Sequence, residues 1–310
     1  KVPAGRTARR RIGAAMAKKK PMHTGEYSVP VMSQEEVERF SVPFAEVEAL
    51  LPAMMQEHGI AIVTGVVSEQ EVQALEDKFK LDLQDVVDVD ALEGAPSGVK
   101  DAHERFLAEG PRAFPALTAE ELPLRAAGFL MERSLNQGSF AWAARRHPNV
   151  HAVFRALFPL SERLVTSQDV TFFTPSGQEP AECNSFSAHV DQNAHDGRPG
   201  LAECDIYQGV LYVWPATSDG SESTTVVWPG SHKDTWKAMM KGGCFERSGA
   251  LGFHYSEIAE MADTRLASQL AEGWVREARR AVVPAGGLFL WNSRTVHTGW
   301  KGGARLPPAV

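Results

Sequence analysis

The tripeptide His189-Val190-Asp191 places an imidazole and a carboxylate two residues apart, and on an extended backbone residues i and i+2 point to the same face. A third ligand of the same kind is available in His297, within Arg294-Thr295-Val296-His297, 108 residues downstream. Two histidines and one carboxylate can hold Fe(II) by one face of its coordination sphere and leave three positions open for a cosubstrate and oxygen. The tripeptide alone is a weak signal, because the chain has ten histidines and contains a second copy of the pattern, His232-Lys233-Asp234. Their contexts differ. His232 follows Thr224-Thr225-Val226-Val227-Trp228-Pro229-Gly230-Ser231 and so lies just past a strand, where Ser231 or Asp234 would cap the next helix. His189 stands between two predicted strands and has a strand-borne partner in His297. Other chemistries lack their signatures: there is no Gly-x-Ser-x-Gly elbow, no Gly-x-x-x-x-Gly-Lys phosphate loop, no Gly-x-Gly-x-x-Gly and no His-Glu-x-x-His.

The elements that must position these residues change character along the chain. Pro43 to His58 carries apolar residues at helical spacing (Phe44, Val47, Leu50, Leu51, Met54, Met55) and ends at Gly59. Ile60 to Val66 reads as a short strand. Ser68-Glu69-Gln70-Glu71 is a capping box opening a helix to about Lys80. Leu81 to Glu93 is an acidic stretch without a cation, read as a solvated loop rather than a calcium site, since it lacks the EF-hand order of ligands. Thr118-Ala119-Glu120-Glu121 is a further capping box, and helices are predicted over 126–131, 140–146 and 150–158. From about residue 162 the pattern turns to short runs of Val, Thr, aromatic and Leu residues at 164–173, 206–214, 223–228, 276–283 and 288–291, punctuated by Gly, Pro, Ser and Asp. One helical insertion is predicted at 256–270. Many short strands with such punctuation predict an antiparallel sandwich or jelly-roll barrel, and the helices of the first half would buttress one sheet. The expected organisation is a basic arm over residues 1–25 and one domain over 26–310, helical to residue 160 and strand-rich from 161. The fold class is thus mainly β with a helical buttress.

Composition bounds the setting. The chain has 310 residues, 43% hydrophobic and 23% charged, which excludes disordered, collagen-like and coiled-coil classes and allows a core that needs no disulfides. No uncharged apolar run reaches the roughly 18 residues needed to cross a bilayer, so no membrane partner is expected. Cys183, Cys204 and Cys244 form no Cys-x-x-Cys pair, which points to free thiols in a reducing, cytoplasmic or similar compartment. The formal charge of −7 is uneven: residues 1–20 hold eight Lys or Arg and no acid, leaving −15 on the rest. The arm can be read as a nucleic-acid contact, as the remnant of an organelle-targeting peptide or as a poorly ordered tail. It has no aromatic side chain to stack on a base and no helical periodicity, and the body is acidic, which argues against nucleic acid as a partner.

Read together, His189-Val190-Asp191-Gln192, Gln208-Gly209-Val210-Leu211-Tyr212, Val226-Val227-Trp228-Pro229-Gly230-Ser231-His232-Lys233 and Pro284-Ala285-Gly286-Gly287-Leu288-Phe289-Leu290-Trp291-Asn292-Ser293-Arg294-Thr295-Val296-His297 resemble the phytanoyl-CoA dioxygenase family of Fe(II)/2-oxoglutarate oxygenases. The resemblance covers about residues 160–305, with a looser echo at 59–73. It implies a double-stranded β-helix, a cupin-like jelly roll, with His189, Asp191 and His297 as iron ligands and with Fe(II), 2-oxoglutarate and O2 as cofactor and cosubstrates. It further implies an arginine on the strand after the distal histidine, whose guanidinium fork would take the far carboxylate of 2-oxoglutarate. Arg305 is the candidate, eight residues past His297 and followed by Pro307 and Pro308, with Arg294 and Arg280 as fallbacks. Gln208 and Tyr212 share one strand face and, like Thr298 beside the distal histidine, match positions that contact the cosubstrate in this family. His195, Asp196 and Arg198 lie in the loop after Asp191, where substrate residues concentrate. A carboxylate rather than a small residue at position 191 implies hydroxylation or desaturation of a C–H bond rather than halogenation, with succinate and CO2 as coproducts and a small molecule as substrate. A non-catalytic metal- or ligand-binding barrel of the same fold, and an oxygenase acting on nucleic acid or protein, stand as the alternatives.

Overall fold

The computed structural model describes residues 29–85, 92–110, 135–166, 171, 188–194, 204–241, 256–258 and 263–300. The helices are α1 (Gln34–Phe40), α2 (Val47–His58), α3 (Glu69–Gln84), α4 (Ser97–Glu109), α5 (Ser139–Arg145), α6 (Pro148–Leu157), α7 (Asp234–Lys241) and α8 (Thr264–Glu277). The strands are β1 (Ser41–Pro43), β2 (Ile60–Thr64), β3 (His189–Val190), β4 (Tyr207–Tyr212), β5 (Thr224–Val227), β6 (Ser256–Glu257), β7 (Arg279–Arg280), β8 (Gly287–Asn292) and β9 (His297–Trp300). More of the described residues lie in helix than in strand, so the architecture is mixed helix and sheet rather than mainly β.

Two sheets form. The first has the order β1-β2-β8-β4 and the second β6-β3-β9-β5-β7; every pair is antiparallel except β1 with β2. Strand alternation sorts the side chains of the first sheet. Ala61, Val63, Leu211, Leu288 and Leu290 pack with α2, α3, α5 and α6. Ile60, Ile62, Val210, Tyr212, Phe289 and Trp291 face the other way, where they meet Val227 of β5. The Tyr212 hydroxyl crosses this gap to the hydroxyls of Thr224 and Thr225, at 3.0 and 3.1 Å. On the far face of the second sheet Val190, Val226 and Val296 pack against α7 and α8 through Met239, Met240, Leu270 and Trp274. The order is therefore helices, sheet, sheet, helices, and the space between the sheets is the natural place for a buried site.

Local signals account for most helix boundaries. Ser33 with Glu36 and Ser68 with Glu71 make reciprocal capping boxes, and α2 stops at Gly59, whose φ of +69° is a left-handed cap. Three expectations change. The helix from Ser68 continues to Gln84, because Asp82 is not a solvated loop residue: its carboxylate accepts hydrogen bonds from Ser139 N–H, the Ser139 hydroxyl and Phe140 N–H at 3.0, 2.9 and 2.8 Å. It caps α5 from a distance. Residues 256 and 257 are strand β6, and the helix predicted there begins at Thr264, where the Asp263 side chain accepts from Leu266 N–H. That helix runs on to Glu277, leaving only Arg279–Arg280 of the strand predicted from 276. Leu164 to Thr166 form no regular element, and the rest of the strand expected at 164–173 lies largely outside the described residues, as do the basic arm, the box at Thr118 and the helix at 126–131.

Two stability predictions arise here. Asp82→Ala strips three hydrogen bonds from the first turn of α5 and should cost about 1–3 kcal/mol, read as a lower urea midpoint with an unchanged m-value; Asp82→Asn should recover part of it. Hydrogen bonds from the Ser68 backbone and hydroxyl, then from His147, hold the Glu71 carboxyl at about 2, below its ordinary 4.5. Its contribution to stability is complete above pH 4.5 and is lost as pH falls toward 2. Glu71→Gln should therefore flatten the acid limb of a plot of urea midpoint against pH, and an unchanged limb would contradict the assignment.

Candidate metal centre

The register of two short strands brings the histidines together. His189 of β3 is paired with His297 of β9, and their ring centroids are 4.3 Å apart. Their chain neighbours Val190 and Val296 are buried in the outer cluster, so alternation turns both imidazoles inward, toward the first sheet. Asp191 follows directly. Its backbone N–H and that of Gln192 both donate to the Ser293 carbonyl, at 3.0 and 3.1 Å, while Ser293 N–H donates to the Ile206 carbonyl at 2.8 Å. The turn between β8 and β9 thus fixes the carboxylate beside the rings. His189 Nε2 lies 3.6 Å from Asp191 Oδ1, and His297 Nε2 lies 3.3 Å from Asp191 Oδ2. Ligand atoms of all three residues fall within 4.8 Å of one another, the one such group found among the described residues.

These distances fit a divalent ion. Neighbouring ligands of a six-coordinate cation at about 2.1 Å are about 3 Å apart, so small side-chain movements would close the set around iron. The orientation of His297 fits as well. Its Nδ1 lies 3.0 Å from the Thr295 carbonyl; a carbonyl can only accept, so Nδ1 carries the proton and Nε2 presents its lone pair to the centre. Thr295 is itself tied down, its hydroxyl donating to the Gly59 carbonyl at 2.9 Å. Burial opposes ionisation of Asp191, but the charges of His297 and His189 and hydrogen bonds from His297 and Gln208 outweigh it and hold the carboxyl at about 2. The carboxylate is ionised throughout the neutral range.

The second His-x-Asp pattern has a different job. His232 Nε2 donates to the Gln56 carbonyl at 3.1 Å and Gly230 N–H donates to the His58 carbonyl at 2.7 Å, so this loop caps the C-terminus of α2. Burial lowers the His232 pKa, consistent with a neutral ring. Asp234 points into solvent with its side chain 97% exposed. Ser231 does not cap α7 with its hydroxyl: the hydroxyl donates to the Trp228 carbonyl at 2.6 Å and accepts from Val296 N–H at 2.8 Å. It locks the residue before His297. Sequence reading missed this role of Ser231 and that of Thr295; the one available signal is a buried-type hydroxyl two positions before a ligand histidine.

The remaining candidates are placed as follows. Gln208 is on the inner face of β4 and hydrogen-bonds the Asp191 carboxylate. Tyr212 shares that face, buried, with its hydroxyl on Thr224 and Thr225. Thr298 is paired with Val226 and, next to the inward His297, lies on the outer face of β9. Arg294 reaches Asp205 at 3.3 Å and the Cys204 carbonyl at 3.1 Å, with its guanidinium 4.8 Å from the Trp236 ring. Arg280 bonds the Gly220 carbonyl and stacks 4.6 Å from the Trp300 ring. Neither fallback arginine is brought to the triad. Arg305, His195, Asp196 and Arg198 lie outside the described residues. Trp291, not singled out from sequence, sits on the inner face of β8 with its ring 5.1 Å from that of His297.

A search of curated proteins found no match to the chain. Among solved structures it is similar to the GlcNAc-inducible protein GIG2 of Candida albicans, at 11% identity and a TM-score of 0.46, covering 87% of this chain and 64% of that one, short of two thirds of its length. It is also similar to EctD from S. alaskensis, at 15% identity and a TM-score of 0.36 over 84% of this chain and 74% of that one. EvdO2 from Micromonospora carbonacea var. aurantiaca, complexed with 2-oxoglutarate, is similar at 13% identity and a TM-score of 0.36 over 91% and 90%. These are distant likenesses. The sequence model of the phytanoyl-CoA dioxygenase family, in contrast, matches residues 55–301, a span that runs from α2 to the end of β9 and includes all three ligand candidates. On that match the chain belongs to the phytanoyl-CoA dioxygenase family of Fe(II)- and 2-oxoglutarate-dependent oxygenases.

Proposed function

We propose that this chain hydroxylates or desaturates a C–H bond of a small molecule, with 2-oxoglutarate and O2 as cosubstrates and succinate and CO2 as coproducts. The observation that carries the reading is the convergence of His189, Asp191 and His297 between the two sheets, with ligand atoms within 4.8 Å of one another. These three residues would hold Fe(II), which when bound supplies the oxidative decarboxylation of 2-oxoglutarate and the oxidation of the substrate. The protein's own share is positional. Thr295 keeps the proton of His297 on Nδ1, Ser293 fixes the backbone of Asp191, and Gln208 holds its carboxylate. The apolar inner face of the first sheet excludes water from the reacting side. Arg305 is assigned the far carboxylate of 2-oxoglutarate. The facing antiparallel sheets support reading the strand-rich part as a double-stranded β-helix within one domain over residues 26–310, preceded by a basic arm.

The test is oxygen-dependent turnover of carboxyl-labelled 2-oxoglutarate by the Fe(II)-loaded full chain, with released CO2 and succinate as readouts. The expected result is succinate formation that a chelator abolishes and that a panel of small molecules (acyl-CoAs, free amino acids, amines) stimulates more than oligonucleotides do. Succinate no higher than in the chelated control would contradict the reading, and stimulation by oligonucleotides alone would move the substrate to nucleic acid.

A further inference from the structure

The face of the first sheet that looks onto the triad carries two polar atoms without a partner. Gln208 of β4 and Trp291 of β8 are direct cross-strand neighbours, and Trp291 is 7% exposed. The Trp291 Nε1–H is buried and meets no acceptor; the Gln208 Oε1 is buried and meets no donor. Chemistry fixes which end of the Gln208 amide is left over. A carboxylate accepts, so the amide NH2 is the end that bonds Asp191, and Oε1 is the orphan. A donor and an acceptor left unpaired side by side, next to a metal-ligand set, are what a site built for a polar ligand group presents.

We propose that Gln208 and Trp291 form the polar end of the substrate pocket and recognise a hydroxyl group of the substrate. The hydroxyl proton is donated to Gln208 Oε1, and the same hydroxyl oxygen accepts the Trp291 Nε1–H. The ligand atom must be both donor and acceptor. 2-Oxoglutarate offers only acceptors at neutral pH: it could take the indole N–H but leaves the amide oxygen unpaired. An ammonium would satisfy the amide oxygen and oppose the indole N–H, and a hydrocarbon satisfies neither. The substrate class is therefore an already hydroxylated, otherwise largely apolar small molecule. This assignment rests on the reading of the triad as the iron site.

The experiment titrates the full chain, loaded anaerobically with Fe(II) and 2-oxoglutarate, with matched pairs of probes: cyclohexanol against methylcyclohexane, benzyl alcohol against toluene, and 1-hexanol against hexane. Perturbation of the visible iron-to-2-oxoglutarate charge-transfer band reads binding. Each alcohol is expected to bind at least about tenfold more tightly than its hydrocarbon partner. Trp291→Phe, which keeps an aromatic ring and loses the N–H, should bring the ratio close to one; Gln208→Met, which loses the acceptor, should do the same and decides the matter if the first variant does not fold. Equal binding within the pairs, failure of every alcohol to bind, or a ratio preserved in either folded variant would overturn the proposal. A normal band with no preference for alcohols removes only the hydroxyl assignment, whereas no band on adding 2-oxoglutarate takes the iron-site reading down with it.

Discussion

Asp191→Ala is expected to lower Fe(II) affinity and succinate formation by at least about 100-fold while leaving the fold in place. The carboxylate is the only anion in the ligand set, held at about 2, and so is available to the cation at any working pH. Two neutral imidazoles alone would offer iron a weaker and incomplete face. The fold should survive because the anchoring bonds at this position, from the N–H groups of residues 191 and 192 to the Ser293 carbonyl, belong to the backbone and do not depend on the side chain. Asp191→Glu keeps the charge but pushes the oxygens a bond length farther from a chain pinned at Ser293, and should recover only part of the loss. Equilibrium dialysis with Fe(II) and the succinate assay read both variants. Full affinity in Asp191→Ala would remove the residue from the site.

Gly59→Ala should have the largest effect of any change outside the ligands. The residue has φ +69°, and a Cβ there would lie 2.3 Å from His232 Nδ1, 2.7 Å from His232 Cγ and 2.8 Å from the Thr295 hydroxyl. Left-handed strain and the forced displacement of two buried side chains together should cost about 2–4 kcal/mol. The damage is directional. Thr295 donates to the Gly59 carbonyl and accepts the His297 Nδ1–H, so moving it disturbs the ring that presents Nε2 to the metal, and Fe(II) affinity should fall about 10–100-fold. Gly65 is the internal control. Its φ is +70° but a methyl group there would meet nothing within 4 Å, so Gly65→Ala should cost only about 1 kcal/mol of backbone strain and leave iron affinity alone. If the two variants bind Fe(II) equally well, Gly59 is not coupled to the centre.

Much of the site was legible because its ligands obey local rules. An i, i+2 pair on an extended segment and a histidine on a distant strand need only a pairing register to meet, and the capping boxes and the glycine after α2 follow from a few neighbouring residues. What escaped was built from contacts far apart in sequence. Asp82 looked like one acid in an acidic run because its partners, Ser139 and Phe140, are 57 and 58 positions away. His232 carried the same tripeptide as His189; only the docking of its loop on the carbonyl end of α2, 176 residues earlier, shows that it holds a helix. The strand predicted from Arg276 failed for a related reason. Leu270 and Trp274 are buried on the same helical face of α8, and their packing against the second sheet carries the helix through residues whose local pattern favoured a strand. The dominance of helix over strand likewise escaped notice, since strands of two residues, such as β3 and β7, exist only by virtue of their neighbours in the sheet.

The functional reading stands or falls on whether His189, Asp191 and His297 hold a single Fe(II) with adjacent positions free for 2-oxoglutarate. The direct measurement is the visible spectrum of the anaerobic Fe(II)-loaded chain during titration with 2-oxoglutarate. The predicted result is a charge-transfer band that saturates at one 2-oxoglutarate per chain, persists in Asp234→Ala and is absent in His297→Ala and Asp191→Ala. No band in the native protein, or one that survives in Asp191→Ala and disappears in Asp234→Ala, would contradict it.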